Sequence, residues 1–88
     1  MKEKAKRIEL KIFAPQAENA HLCGSFNHWS ENADPMKRDS TGIWKKIKML
    51  PGRTHEYKFL VDGDWTLDPE CHDTVPNELG TENNVKRL

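Results

Sequence analysis

Two tryptophans have the side chains best suited to recognition chemistry, because Trp29 and Trp65 each lie in polar sequence rich in turn-forming residues. Trp29 ends residues 24–29, and Trp65 follows the turn residues 62–64. Leaving an indole in water forgoes a large burial energy. A pair of them in loops is typical of a surface that stacks against flat apolar faces, such as those of pyranose rings. The alternative is that both rings fold back and cap the core.

Acidic residues crowd one later segment and raise the question of catalysis. Glycoside hydrolysis needs two carboxylates that face each other across a cleft, about 5–10 Å apart. Asp62 precedes a glycine and Asp68 precedes a proline, and both are ordinary uses of Asp in turns. We therefore predict no catalytic residues and a chain that is not an enzyme. The carboxylates concerned are Asp62, Asp64, Asp68, Glu70 and Asp73.

The thiols and imidazoles do not have the spacing of a metal site. Cys71-His72-Asp73 is contiguous, and Cys23 with His21 lies far from it in sequence. Neither group has the Cys-x2-Cys or His-x3-His spacing of zinc ligands. Two cysteines are also too few for the disulfide framework of a small secreted domain. We expect no metal, no cofactor, reduced thiols and a cytoplasmic location, with one Cys23–Cys71 disulfide as the alternative.

Size and charge narrow the range of partners. The 88 residues suffice for one domain, and 14 basic residues balance 14 acidic ones. A neutral chain gives no electrostatic attraction to nucleic acid or to an anionic membrane, so we expect neither as a partner. The first residues are locally basic, and we predict a flexible segment over 1–7 and a single domain over 8–88.

Apolar residues alternate with polar ones along most of the chain, which predicts β-strands with one buried face. Ile8, Leu10 and Ile12 share one side of the first run. Residues 55–61 form the clearest strand, and Asp62-Gly63 after it predicts a tight hairpin. Further strands are expected at residues 20–24, 35–38 (a brief edge strand), 43–50, 65–67 and 84–88.

Two segments do not fit a simple alternation. In residues 43–50, Trp44 and Leu50 fall on the same side as Lys46 and Lys48, a conflict that a β-bulge would resolve. Residues 70–82 show no period and are predicted to form a long loop of the kind that often carries function. Trp44 is expected in the core and His55 at a strand surface or edge. The sequence thus predicts an all-β fold, a β-sandwich of six to eight short antiparallel strands.

Three segments together resemble a known family. They are residues 22–30 (LCGSFNHWS), 55–65 (HEYKFLVDGDW) and 79–85 (LGTENNV). In this order and spacing they resemble the glycogen-binding domain of the AMP-activated protein kinase β-subunit. That domain is a family-48 carbohydrate-binding module, a class also found in the N-terminal domains of branching and debranching enzymes. The likeness covers nearly the whole chain beyond about residue 8 and departs mainly in the lysines of residues 43–49.

The resemblance implies an immunoglobulin-like early-set β-sandwich that binds α-1,4-glucan without catalysis. Trp29 and Trp65 would be stacking platforms, and Leu79 would project from the late loop against the curved face of the glucan. The resemblance also implies that Lys58 hydrogen-bonds sugar hydroxyls. Strand alternation agrees with this role, since it points Lys58 away from Tyr57 and Phe59. Further polar contacts would come from Thr81 and Asn83.

Two other functions remain open at this point. The sandwich could be a protein-interaction or regulatory domain, since an exposed aromatic patch also suits a protein partner. A glycogen- or starch-metabolising enzyme is the protein partner that the resemblance implies. The chain could also be an N-terminal fragment of a branching or debranching enzyme, which would be inactive alone.

Overall fold

Short antiparallel strands make up most of the structure, a computed structural model that describes residues 4–88. Within that range, eight strands and one 3₁₀ helix, Ser25–Asn27, follow in order. The strands are β1 (Ala5–Phe13), β2 (Ala20–Gly24), β3 (Lys37–Arg38), β4 (Ile43–Pro51), β5 (Thr54–Val61), β6 (Asp64–Thr66), β7 (Thr74–Pro76) and β8 (Glu82–Arg87). The all-β prediction is confirmed.

The strands form two antiparallel sheets. The three-stranded sheet has the order β1-β4-β3. The five-stranded sheet has the order β2-β5-β8-β7, and β6 pairs with β5. The inner faces of both sheets contribute to one apolar core, which makes the fold a β-sandwich, as predicted.

Alternation along the strands determines which side chains enter that core. The predicted row on β1 is buried, and β5 contributes Tyr57 and Phe59 on its inner side. Side chains at the intervening positions, Glu56, Lys58 and Leu60, therefore lie on the outer face of the five-stranded sheet. The buried core consists of Ile8, Leu10, Ile12, Ala17, Ala20, Leu22, Met36, Trp44, Leu50, Tyr57 and Phe59.

The conflict of sides in β4 is not resolved by a β-bulge. β1 and β4 pair without interruption from Ala5↔Pro51 to Phe13↔Ile43. Trp44 and Leu50 are buried in the core, as expected for Trp44, and the two lysines between them share their side of the strand. The lysine ammonium groups lie 3.8 Å (Lys46) and 2.8 Å (Lys48) from carboxylate oxygens of Asp34. The buried carboxylate of Asp34 therefore pairs with both lysine ammonium groups, and the two lysines can share a side of the strand with Trp44 and Leu50 without a bulge.

Three other expectations need correction. β1 begins at Ala5, so residues 5–7 of the predicted flexible segment 1–7 pair with β4, while residues 1–3 lie outside the described residues. The predicted loop 70–82 contains β7, because residues 74–76 pair with β8. His55 is buried and not a surface residue. Its Nε2 lies 2.9 Å from the carbonyl oxygen of Pro51, so the buried ring has a hydrogen-bond partner.

Candidate functional site

An open cleft of about 1360 Å³ lies on the outer face of the five-stranded sheet. Its walls come from the turn after β2, the β5–β6 hairpin and the β7–β8 turn, and its floor comes from β5 and β8. All of the predicted site residues line this one cleft: Trp29, Lys58, Trp65, Leu79, Thr81 and Asn83. The structure thus brings together side chains that are up to 54 positions apart in sequence (83 − 29).

Trp29 is held in the cleft wall by an unusual backbone. The 3₁₀ helix ends at Asn27, and the two residues after it, His28 (φ 57°) and Trp29 (φ 58°), both adopt the left-handed conformation. Each such non-glycine residue costs about 1–2 kcal/mol, a strain that clusters at functional sites. The amide of Trp29 donates to the carbonyl oxygen of Gly24 at 2.9 Å, which closes the turn and fixes where the indole emerges.

A hydrogen-bonded network supports this turn from below. Asn27 donates through Nδ2 to Asp34 at 2.7 Å and to the carbonyl oxygen of Leu22, and its Oδ1 accepts from the amide of Gly24. Lys48 donates to the same Asp34 carboxylate at 2.8 Å. Burial raises the pKa of Asp34, but the hydrogen bonds from Lys48 and Asn27 outweigh it and hold the pKa below its usual value. Asp34 was missed in the sequence because its partners lie on other elements.

Trp65 is positioned by the predicted hairpin between β5 and β6. Asp62 (φ 48°) and Gly63 (φ 82°) form its two-residue turn, as the Asp-Gly pair indicated. Trp65 then pairs with Leu60, and 47% of the indole residue is exposed. The rings of Trp29 and Trp65 lie with centroids 6.4 Å apart and planes at 70°. The two indoles therefore form an angled wall and not one flat platform.

The polar side chains of the floor are linked to one another. Lys58 points to the predicted face, but only 8% of it is exposed, and its Nζ donates to Thr81 Oγ1 at 3.1 Å. Asn83 is also buried and donates through Nδ2 to Glu56 at 3.0 Å. Thr81 Oγ1 accepts a second hydrogen bond from Asn77 Nδ2 at 2.7 Å. Both lone pairs of the Thr81 hydroxyl are thus engaged, which leaves its proton to be donated outward.

Leu79 lines the cleft at its rim, and 89% of it is exposed. It lies in the turn that joins β7 to β8, where Gly80 has a φ of 81°. The Asn77 side chain organises this turn by accepting from the amides of Leu79 (2.9 Å) and Thr81 (3.1 Å). Sequence reasoning missed Asn77, although an Asn that starts a turn containing glycine is a known signal for side-chain capping.

The other candidate chemistries separate in space. Asp62 accepts from the amides of Glu18 and Asn19, Asp68 accepts from the hydroxyl of Tyr57 at 2.7 Å, and Asp73 pairs with Arg87. None of these carboxylates lines the cleft. Among residues 4–88, no three His, Cys, Asp or Glu side chains come together as metal ligands.

Cys23 does not have the lowered thiol pKa of an activated nucleophile. Cys23 and Cys71 are free thiols, without the alternative disulfide. Burial raises the pKa of Cys23 to about 11, and the carboxylates of Glu31 and Asp34 add to the shift. A reactive thiol needs the opposite shift.

No helix within residues 4–88 is long and apolar enough to cross a membrane.

Comparison with known proteins gives the same family as the sequence motifs. The family model for the glycogen recognition site of AMP-activated protein kinase matches residues 10–88. The 5'-AMP-activated protein kinase subunit beta-1 of Sus scrofa is 46% identical over 68 residues, which cover 77% of this chain and 52% of that protein. The beta-1 subunit of Rattus norvegicus is 44% identical over 68 residues, 77% of this chain and 24% of the relative.

A beta-2 subunit, from Mus musculus, is 41% identical over 64 residues, which cover 73% of this chain and 22% of the relative. The chain therefore spans between 22% and 52% of the length of these three relatives. The family match extends over most of the sandwich, including every residue that lines the cleft. The resemblance read from the sequence is confirmed: the chain belongs to the family of the glycogen recognition site of AMP-activated protein kinase.

Proposed function

We propose that this chain is a non-catalytic binding module for α-1,4-glucan, the polymer of glycogen and starch. The convergence of all six predicted residues on one cleft is the observation that carries the proposal. In the proposed complex, Trp29, Trp65 and Leu79 contact the apolar faces of the sugar rings. Lys58, Thr81 and Asn83 exchange hydrogen bonds with the hydroxyls. An apolar wall with a few convergent polar groups is the usual composition of a small-molecule site.

The angle between the indoles favours a curved ligand. Their planes meet at 70°, so two rings of one sugar chain can stack on both indoles only if the chain turns between them. An α-1,4-glucan curves in this way, whereas a β-1,4-glucan is flat and extended. Leu79 is an exposed apolar side chain of the same cleft, and in this proposal it contacts the inner curve of the bound chain.

Charge in the cleft favours a neutral ligand. The carboxylates of Glu56, Glu78 and Glu82 line it together with a single cation, Lys58. A phosphorylated or otherwise anionic polymer would meet a net negative surface, whereas the hydroxyls of a glucan can donate to these carboxylates. The outward hydroxyl of Thr81 supplies a donor for a glucan oxygen.

The setting in which the module works is also a proposal. Its relatives are subunits of a protein kinase, so we infer that a protein partner is better sought among protein kinases than among glycogen- or starch-metabolising enzymes. Any catalytic activity would belong to such a partner or to a longer protein. A cytoplasmic location remains our prediction.

Titration with maltoheptaose, followed by tryptophan fluorescence, tests the proposal. We expect saturable binding with a Kd between about 1 μM and 1 mM, because the open cleft buries few ligand atoms fully. Cellohexaose at the same concentrations is the control for ring stacking without curvature and should bind at least about tenfold more weakly, a difference of about 1.4 kcal/mol. No saturable change at millimolar maltoheptaose would contradict the proposal.

A further inference from the structure

The Asn77 side chain is the most highly connected group in the cleft. Its Oδ1 accepts from the amides of Leu79 and Thr81, and its Nδ2 donates to Thr81 Oγ1 at 2.7 Å and to Asn83 Oδ1 at 2.9 Å. These bonds use both lone pairs and both protons of the carboxamide. The backbone of Asn77 adds bonds from its amide to the carbonyl oxygen of Thr81 and from the Gly80 amide to its own carbonyl oxygen.

The tip of the turn that Asn77 organises, residues 78–80, has no packing against the apolar core. Leu79 is 89% exposed and lies outside the apolar core, and Glu78 and Gly80 on either side of it are exposed as well. A solvent-exposed turn without buried apolar contacts normally samples many conformations. An apolar side chain on such a turn would lose conformational entropy on contacting a ligand, which weakens binding.

We propose that Asn77 is a positioning residue, which fixes Leu79 at the rim of the cleft and the hydroxyl of Thr81 on its floor before the ligand arrives. This inference rests on the proposed glucan-binding function and deepens it. Asn77 acts through Leu79 and Thr81, and its contribution to affinity is the order it imposes on the free protein. Two of its bonds reach Leu79 and Thr81 through the backbone and one through the hydroxyl, so one side chain couples the apolar and polar parts of the site.

The central experiment is a double-mutant cycle with Asn77→Ala and Leu79→Ala, read out as the Kd for maltoheptaose. Asn77→Ala should weaken binding about five- to tenfold, the range of a lost pair of hydrogen bonds and a disordered side chain. In the Leu79→Ala background the same change should cost less than about threefold, because only the effect through Thr81 is left. Equal effects in both backgrounds would overturn the positioning role.

A second measurement makes the result independent of ligand. In free protein, amide hydrogen exchange at Leu79 and Thr81 should become about tenfold faster in Asn77→Ala, since both amides lose their acceptor. Asn77→Asp keeps that acceptor while losing the donor to Thr81, so it should restore slow exchange at Leu79. Unchanged exchange in Asn77→Ala would overturn the inference, as would equally fast exchange in both variants.

The matched control is Asn19→Ala, an exposed asparagine whose bonds with Asp62 run through its backbone. It should leave the Kd and the exchange at Leu79 unchanged. If the wild-type chain itself does not bind maltoheptaose, the proposed function falls and this inference falls with it. Normal binding by Asn77→Ala, beside normal binding by the wild type, overturns only the inference.

Discussion

The two outer faces of the sandwich both expose apolar side chains, and the cleft of about 1360 Å³ lies on the face of the five-stranded sheet. On the three-stranded sheet, Phe13 (65% exposed), Ile47 and Met49 project from β1 and β4 between charged neighbours. On the five-stranded sheet, Trp65 and Leu79 are also exposed, yet Trp65 lies on the short strand β6 and Leu79 on the β7–β8 turn, and both line the cleft. Exposed apolar area alone therefore does not distinguish the site; the concave arrangement does.

Hydrogen bonding produces the difference between the faces. On the outer face of the three-stranded sheet, side chains project from paired strands into solvent. Lys11, Lys45 and Lys37 lie side by side there in the strand register. Two of the three walls of the cleft are instead fixed by an asparagine side chain. Asn27 fixes the turn before Trp29, and Asn77 fixes the turn that carries Leu79. Polar capping residues thus convert exposed apolar groups into a preformed surface.

The largest effect should come from removing an indole. Trp65→Ala should weaken maltoheptaose binding about 10- to 100-fold, the value of burying one large apolar side chain. The melting temperature should change by less than about 3 °C, because half of the residue already faces water. Calorimetric titration and a thermal melt measure the two quantities.

Phe13→Ala is the matched control on the other sheet, since it also removes an exposed aromatic ring. It should leave maltoheptaose binding unchanged. If Phe13→Ala weakens binding as much as Trp65→Ala does, the ligand does not discriminate between the faces, and the proposed site is wrong.

Leu79→Ala should have the second largest effect. We expect about five- to tenfold weaker binding, because Leu buries less area than Trp against a sugar ring. The fold should be as stable as the wild type, since the side chain makes no contribution to the core. Met49→Ala removes a similar exposed apolar chain from the other face and should not affect the Kd, so a similar loss in both would count against the cleft.

The hydroxyl of Thr81 should matter less than either apolar group. Thr81→Val keeps the shape of the side chain but leaves Lys58 Nζ and Asn77 Nδ2 without their shared acceptor. We expect about three- to fivefold weaker binding, the value of a hydrogen bond of this kind. Thr81→Ser restores the acceptor and should recover most of the affinity; failure to recover it would show that the methyl group carries the effect.

Acid should have the smallest effect on binding, acting through the support of the Trp29 turn. The pKa of Asp34 is lower in the folded chain than in the unfolded one, where it is about 3.9, so its carboxylate stabilises the fold above that pH. This contribution is lost as the pH falls through the lowered pKa. Between pH 5 and about 2 we expect unfolding at lower urea concentration and about twofold weaker glucan binding at the acid end.

Asp34→Asn separates this effect from general acid denaturation. It should be less stable than the wild type at pH 7, because Lys48 and Lys46 lose their counterion, and its stability should vary less with pH. Asp39, on the other sheet, has a pKa lowered to about 2 by hydrogen bonds from Thr41 and Ile43. Asp39→Asn should change the acid stability and leave binding as it is; reduced binding would remove the distinction between the faces.

Local sequence patterns predicted most of the fold, and family motifs proposed the candidate site residues. The alternation of apolar and polar residues predicted which side chains of β1 and β5 are buried. The Asp62-Gly63 pair predicted the hairpin that carries Trp65. The site residues came from motifs shared with a family, and the cleft brings all of them together. These features depend on residues close to one another in sequence, which is why a single sequence reveals them.

What the sequence did not predict depends on contacts that form only when the chain folds, whether the partner is near or far in sequence. The positions of Lys46 and Lys48 in β4 are explained by their ion pairs with Asp34, which the sequence does not show. His55 is polar and is therefore expected at the surface, but its ring is buried and forms a hydrogen bond with the carbonyl oxygen of Pro51. The three residues of β7 are too few to show a period, and they form a strand because β8 pairs with them. Asn77 resembles any turn residue until its contacts are known.

The most direct test of the central claim is a map of amide and indole NMR shifts during titration with maltoheptaose. The account predicts one continuous patch of perturbed signals that joins the indole N–H groups of Trp29 and Trp65 with Lys58 and residues 77–83. Signals of β1 and of the outer side of β4 should not move. Perturbations centred on Phe13, Ile47 and Met49, or none at millimolar ligand, would contradict it.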